Sequence, residues 1–299
     1  MQFRKTMRHK LLLPFAILLL TLGSYSQNVF HKDNTVKFFV DPATNSDDPD
    51  QRMAYGLNIL PPWPDGGSVF VNLPEHLEYM PGTKGIARHH DKRSNVWQVN
   101  ADSTDAWYRV ESLTEPGVFF SAKAKSTNGI ATFEFEIINN SKKELKSIRP
   151  LFCFQYNLLK GFSLANTNNF SHTFIIMNGI PVRISDIAVK NPAAIARMAQ
   201  VGSCADEHNW WAEEAGGMIE QNIDAAYTIL TATDDDRKII LQWMPGKNFL
   251  SNSAIPCIHA DPCIGALEPG ESRKVFGKLI FTRIPLDELT KKFPVKSAP

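Results

Sequence analysis

Ile130-Ala-Thr-Phe-Glu-Phe-Glu-Ile-Ile138 alternates apolar and polar side chains almost without a break, with Phe133, Phe135 and Ile137 on one side and Glu134 and Glu136 on the other. Successive side chains of an extended chain point to opposite faces, so a period of two marks a strand with one buried and one wet face. Turn-forming residues bound it, Ser126-Thr-Asn-Gly129 before and Asn139-Asn-Ser-Lys-Lys-Glu144 after. Both neighbours are apolar again: Asn95–Val99, Trp107–Ser112 and Val118–Lys125 lead in, and Leu145–Tyr156 leads out. Residues 95–156 therefore read as a β meander.

Further out, the same grammar repeats. Asn178-Gly179 between Thr173–Met177 and Ile180–Ile184 is a type I′ hairpin signal, because both turn positions need φ > 0. Ala225–Thr231 turns on Asp234-Asp-Asp236 into Lys238–Met244, and Lys274–Thr282 is the last strand. The acidic triplet reads as a solvated turn in preference to a metal site. Shorter extended pieces fit at Val36–Val40 and Ser68–Leu73, in a stretch broken by Pro61-Pro62-Trp63-Pro64. Two short helices are expected. One has Asn191 as cap, Pro192 at the first position and Ala193–Val201 at helical spacing; the other is the amphipathic Pro285–Lys292. About a dozen short strands with two brief helices predict an all-β protein, a large two-sheet β-sandwich formed as one domain over residues 27–299.

Residues 1–26 are set apart. Arg4, Lys5, Arg8 and Lys10 precede an apolar run from Leu11 to Leu22, then Gly23-Ser-Tyr-Ser26. That is the pattern of a secretory signal peptide with cleavage after Ser26, its apolar run too short to span a bilayer that needs about 20 residues. Its removal takes away four cations and no acids, moving the formal net charge from +1 to −3. The remaining chain has no basic footprint for nucleic acid and no basic amphipathic helix for a membrane surface. A secreted or periplasmic location is the expectation. Four cysteines, Cys153, Cys204, Cys257 and Cys263, then allow three pairings in an oxidising compartment. Cys257–Cys263, closing a short loop around His259 and Asp261, is the preferred one, with Cys153 as a small buried hydrophobe.

Three clusters carry candidate chemistry. In Cys257-Ile-His259-Ala-Asp261, an extended backbone puts His259 and Asp261 on one side, suited to a general base with its orienting carboxylate or to two metal ligands. The plainer reading is a histidine that fixes a loop. In Arg88-His89-His90-Asp91-Lys92-Arg93, His90 is a candidate second catalytic group and Arg88 a carboxylate holder, against the plainer reading of a solvated turn. In Glu207-His208-Asn209-Trp210-Trp211-Ala-Glu213-Glu214, the tryptophans suit a sugar face, with His208 beside them and Glu214 as an acid. One tryptophan in the core and one as a lid is the alternative. Trp63 either packs over a β face or stacks on a ligand. No P-loop, dinucleotide fingerprint, Gly-x-Ser-x-Gly elbow or His-Glu-x-x-His occurs, which disfavours phosphoryl transfer, hydride transfer and the common hydrolase and zinc-protease patterns. No cofactor is expected.

Ile255-Pro-Cys-Ile-His-Ala-Asp-Pro262, with Leu267-Glu-Pro-Gly-Glu-Ser272 and Gly277-Lys-Leu-Ile-Phe281, resembles the C-terminal part of uncharacterised exported proteins from polysaccharide-degrading bacteria. Leu-x-Pro-Gly-Glu before a strand is also similar to the last strands of galactose-mutarotase-like supersandwich domains. Aldose epimerases and the β domains of several polysaccharide lyases and glycoside hydrolases share that fold. The resemblance spans the C-terminal part and, loosely, the preceding meander; it carries over no catalytic residue, and fold alone does not establish function. It implies a carbohydrate partner and a lyase, hydrolase or epimerase working by His/carboxylate acid–base chemistry. The alternatives are a non-catalytic glycan-binding protein and a metal-dependent exported enzyme in which His89 or His90 joins His259 and Asp261.

Overall fold

The computed structural model describes residues 35–40, 56–64, 67–82, 87–89, 97–112, 114–162, 169–202, 204, 217–253 and 255–294. Residues 1–26, which carry the expected leader pattern, lie outside them.

Among the described residues, the strands form two nine-stranded sheets in which every paired neighbour is antiparallel. Sheet one runs in the order β1 (Lys37–Phe39), β2 (Gly56–Leu60), β3 (Val69–Pro81), β9 (Leu145–Gln155), β16 (Cys257–Pro262), β15 (Gly246–Asn252), β12 (Ala196–Gln200). Two short strands join it from the side, β4 (Ala87–His89) on β3 and β17 (Gly265–Leu267) on β9. Sheet two runs β11 (Ile180–Arg183), β10 (Thr173–Met177), β13 (Tyr227–Thr231), β14 (Lys238–Met244), β18 (Ser272–Thr282), β8 (Ile130–Asn139), β7 (Val118–Thr127), β6 (Asp105–Glu111), β5 (Gln98–Val99).

The period-two stretch behaves as its alternation requires. Along β8, half-exposed and buried residues alternate over the whole strand, with Phe133, Phe135 and Ile137 inside. The inner faces of the two sheets meet in aromatic contacts: Phe135 of sheet two lies edge-on to Phe152 of sheet one at 4.9 Å, and Phe152 packs on Trp243 at 4.5 Å. Trp243 occupies the space a side chain at residue 277 would need, since a Cβ on Gly277 would fall 2.6 Å from its ring. The hairpin also forms as expected, with φ of 53° at Asn178 and 76° at Gly179. Past β18, the helix α1 (Leu286–Lys292) lays Leu289 into a second apolar cluster with Phe174, Tyr227, Ile229, Ile240 and Ile280. The helix thereby covers part of the outer face of sheet two.

Two expectations are corrected. The segment Ala193–Val201 is not a helix. Asn191 does accept a hydrogen bond from the backbone of Ala193 (3.1 Å), yet it closes only a turn, and Ala196–Gln200 continues as a strand paired to β15. Backbone pairing along the edge of a sheet decides a short alanine-rich segment more strongly than intrinsic propensity does. The disulfide joins Cys204 to Cys263, not Cys257 to Cys263. Cys257 begins β16 and Cys263 follows its end, so an extended strand at about 3.3 Å per residue holds them far beyond bridging distance.

Candidate functional site

The outer face of sheet one carries the ionisable cluster. On β16, Ile258 and Ala260 enter the core between the sheets, so Cys257, His259 and Asp261 all point to the opposite face. Cross-strand register supplies their neighbours. Asn72 on β3, Cys153 on β9, His259 on β16 and Leu250 on β15 form one row, and Gln155, Cys257 and Asn252 form the next. Cys153 and Cys257 are thus diagonal neighbours across one strand pair.

Glu75 reaches this cluster by a bulge. Asn72 pairs with Cys153 and His76 with Leu151, so β3 has three residues between its paired positions where β9 has one. Pro74 has no N–H for the ladder, and proline inside a sheet is confined to edges and bulges. Extra residues of that kind re-aim side chains. Here the Glu75 carboxylate lies 3.8 Å from His259 Nε2, while Asp261 lies 3.9 Å from Nδ1 on the other side of the ring. Asp261 is anchored in turn, accepting a 2.7 Å hydrogen bond from the Phe152 backbone N–H. Cys257 Sγ is 4.0 Å from His259 Nε2. His259, Cys257 and Cys153 line an open pocket of about 380 Å³ whose other walls include Glu75, His76, Glu78, Leu151, Leu250 and Ile255, with Asp261 behind the imidazole.

Dehydration sets the electrostatics. Asp261 is 2% exposed, and burial pushes its carboxyl up to about 6 against the opposing pull of His259, the Phe152 N–H and Arg149. Burial alone would lower His259, but the hydrogen bond and charge of Cys257, with Asp261 and Glu75, outweigh it and raise the imidazole to about 9. The two thiols diverge. A hydrogen bond to Cys257, with burial, pushes Cys153 well up, whereas the same bond and His259 bring Cys257 down to about 6 against its own burial. The cluster accordingly favours one thiolate beside one imidazolium. A histidine flanked by carboxylates can donate a hydrogen bond to a ligand oxygen, and Glu75, 32% exposed, can take up a proton from the pocket side. Cys153, Cys257 and His259 also place three metal-ligating atoms within 4.8 Å of one another.

The structure brings His259 and Asp261 together, as their spacing implies. His90, His208, Trp210, Trp211 and Glu214 lie outside the described residues. Arg88 lies on β4, its backbone opposite Glu78. Trp63 stacks on Phe162 at 5.6 Å, meets Phe281 edge-on at 5.3 Å and is covered by the Arg237 guanidinium at 5.4 Å; it does not line the His259 pocket. The acidic triplet is engaged with arginines, Asp234 and Asp235 with Arg237 and Asp236 with Arg283. Glu75 is a site residue that sequence reasoning missed. Its only local signal is a proline inside an apolar run, Val69-Phe-Val-Asn-Leu-Pro74.

No protein-family model matches the chain, and no curated protein matches its sequence. Among solved structures it is similar to a polysaccharide lyase, at 14% identity and a TM-score of 0.44, covering 86% of this chain. This chain spans only 33% of that lyase. It is similar as well to a galactose mutarotase related enzyme from Lactobacillus acidophilus, at 10% identity and a TM-score of 0.44, covering 84% of this chain and 96% of the other. A galactose mutarotase-like protein from Lactobacillus casei matches at 11% identity and a TM-score of 0.42, covering 76% and 94%. Likeness at this level concerns the course of the chain, and none of those proteins' activities is carried onto these residues.

Proposed function

We propose that this chain is an exported carbohydrate-active enzyme that moves a proton on a sugar bound over His259. Glu75 acts as proton acceptor, His259 directs its ring N–H or the charge it holds at a sugar oxygen, and Asp261 orients the ring from behind. The observation that carries the reading is a buried histidine with a carboxylate on each side of its ring, at the floor of an open pocket. The pocket volume falls within the range of about 300–1,000 Å³ usual for small-molecule sites. Its polar walls, with carboxylates at Glu75 and Glu78 and amides at Gln155 and Asn252, match a ligand rich in hydroxyls, while Leu151, Leu250 and Ile255 offer an apolar strip. Export is supported by the leader pattern of residues 1–26 and by the Cys204–Cys263 bridge, since disulfides persist in oxidising compartments. No helix among the described residues is long and apolar enough to cross a membrane.

The test is a screen of neutral and acidic oligosaccharides, followed by Glu75→Gln on any substrate found. Loss of general acid–base help typically costs about 10²–10⁴-fold. That loss in turnover, with sugar affinity kept within a few-fold, is the expected result. Unchanged turnover in Glu75→Gln removes the assignment. A second reading, glycan binding without chemistry, is favoured by the outer face of sheet two, where Trp107 and Phe276 are 40% and 50% exposed beside a shallow depression.

A further inference from the structure

Acid–base chemistry at His259 leaves two buried sulfurs without a role. Cys153 and Cys257 are free thiols beside the imidazole, on the pocket face of the sheet. As packing alone they would be replaceable by any small apolar pair, and the polar atoms around them argue against that. His259 Nδ1 and Asp261 Oδ2 are buried and make no hydrogen bond within the protein. A buried polar group normally has a partner.

We propose that Cys153, Cys257 and His259 bind a divalent cation of the zinc class, with the fourth position open to the pocket and within reach of Glu75. Two sulfurs and one imidazole nitrogen form a soft donor set of the kind that selects zinc over the oxygen-seeking cations. Three protein ligands plus one open position are the arrangement of catalytic zinc sites. Bond lengths of about 2.3 Å to sulfur and 2.0–2.1 Å to nitrogen put tetrahedral S and N ligands about 3.6 Å apart. The observed 4.0 Å between Cys257 Sγ and His259 Nε2 needs a contraction of a few tenths of an ångström. Glu75, 3.8 Å from the same nitrogen, stands on the open side.

The surroundings fit as well. A ligating histidine usually donates its other ring N–H to a carboxylate or carbonyl that fixes its orientation. Asp261, held by the Phe152 N–H, stands beside Nδ1 in that place. Rigid β strands supply all three ligands, so the donors are brought together by sheet register and not by a loop. Binding would release the thiol protons to solvent and leave the imidazole neutral, with no redox step. The chemistry assigned to the ion rests on the proposed function: it would take the electrophile's place over the pocket, with Glu75 still the proton acceptor. Binding itself does not depend on that reading.

The test uses the full chain purified without a tag under anaerobic, reducing conditions. It is dialysed against zinc, and separately against cobalt, then passed over a desalting column. The expected results are one ion per chain by elemental analysis and, with cobalt, thiolate charge-transfer absorption together with tetrahedral visible bands. Cys257→Ser and His259→Ala should each weaken the ion's affinity at least 100-fold. Asp261→Asn should weaken it about 10–100-fold while keeping the one-to-one ratio, as expected of a residue acting through a ligand. Wild-type protein that retains less than one-tenth of an equivalent while both thiols react with a thiol reagent overturns the proposal. So does a Cys153–Cys257 disulfide in protein recovered from the exported fraction. Glu75→Gln separates the two readings: if it keeps the ion and keeps turnover, the proposed function fails and the cation site stands. If the wild type turns over sugar and holds no ion, the cation site alone fails.

Discussion

On β8 of sheet two, half-exposed and buried residues alternate from Ile130 to Asn139, whereas on β16 of sheet one every residue from Cys257 to Pro262 is buried. Ionisable side chains behave differently on the two outer faces. On sheet two, Lys274 bonds Glu134 at 2.9 Å and approaches Glu136 at 3.9 Å in open solvent, and its ammonium is raised by Glu134. On sheet one, Asp261 and His259 are dehydrated and move to about 6 and about 9. Water screens charges on the first face, and its exclusion lets neighbours act strongly on the second. Perturbed groups in a cleft are the usual mark of a functional site. The difference in burial, acting on a cluster that holds a histidine, an aspartate and two thiols, therefore puts the chemistry on sheet one.

The largest effect on stability expected from that contrast is at Asp261. Its side chain accepts the Phe152 N–H, and Asp261→Ala leaves that donor in a dry setting at a cost of about 1–3 kcal/mol. Thermal melting should show a fall of several degrees, and Asp261→Asn, which keeps an oxygen in place, should recover most of it. An unchanged midpoint in Asp261→Ala would mean that water reaches the Phe152 N–H, and the claimed dryness of this face would be gone.

A smaller effect tests which face holds the ligand. Trp107 is exposed on sheet two, and Trp107→Ala should change stability by no more than about 0.5 kcal/mol, as surface substitutions usually do. With the sugar in the His259 pocket, its affinity measured by calorimetry stays the same. A tenfold loss of affinity would move the ligand to the aromatic face and bring glycan binding without chemistry to the front.

Much of this architecture is legible in the chain, for a local reason. Alternation over Ile130–Ile138, the Asn178-Gly179 turn and the terminal helix depend on residues a few positions apart. His259 and Asp261 are legible as a pair because one strand's pleat puts them on one side. Their partners are not. Cys153 meets His259 only through the register of β9 with β16, and Glu75 through a bulge in β3, across more than a hundred residues of chain. The Ala193–Val201 segment shows the converse. Its cap residue is real and makes its hydrogen bond, but an edge of sheet one was waiting to be paired, and no local pattern announces that.

The smallest effect lies at Lys274, and it is informative because it should be nearly zero. Lys274 sits in register opposite Glu136 and bonds the diagonal Glu134, an arrangement that on paper resembles the pairing of His259 with its carboxylates. Lys123 lies 3.9 Å from the same Glu134 and can stand in when Lys274 is removed. Exposed ion pairs contribute little, because solvent weakens their attraction and ordering two long side chains costs entropy. Lys274→Ala should leave the thermal midpoint unchanged at physiological salt, with any small decrease appearing only as ionic strength is lowered. A fall as large as that of Asp261→Ala, persisting in salt, would show that burial does not separate the two faces. The case for seeking the chemistry on sheet one would then rest on the pocket alone.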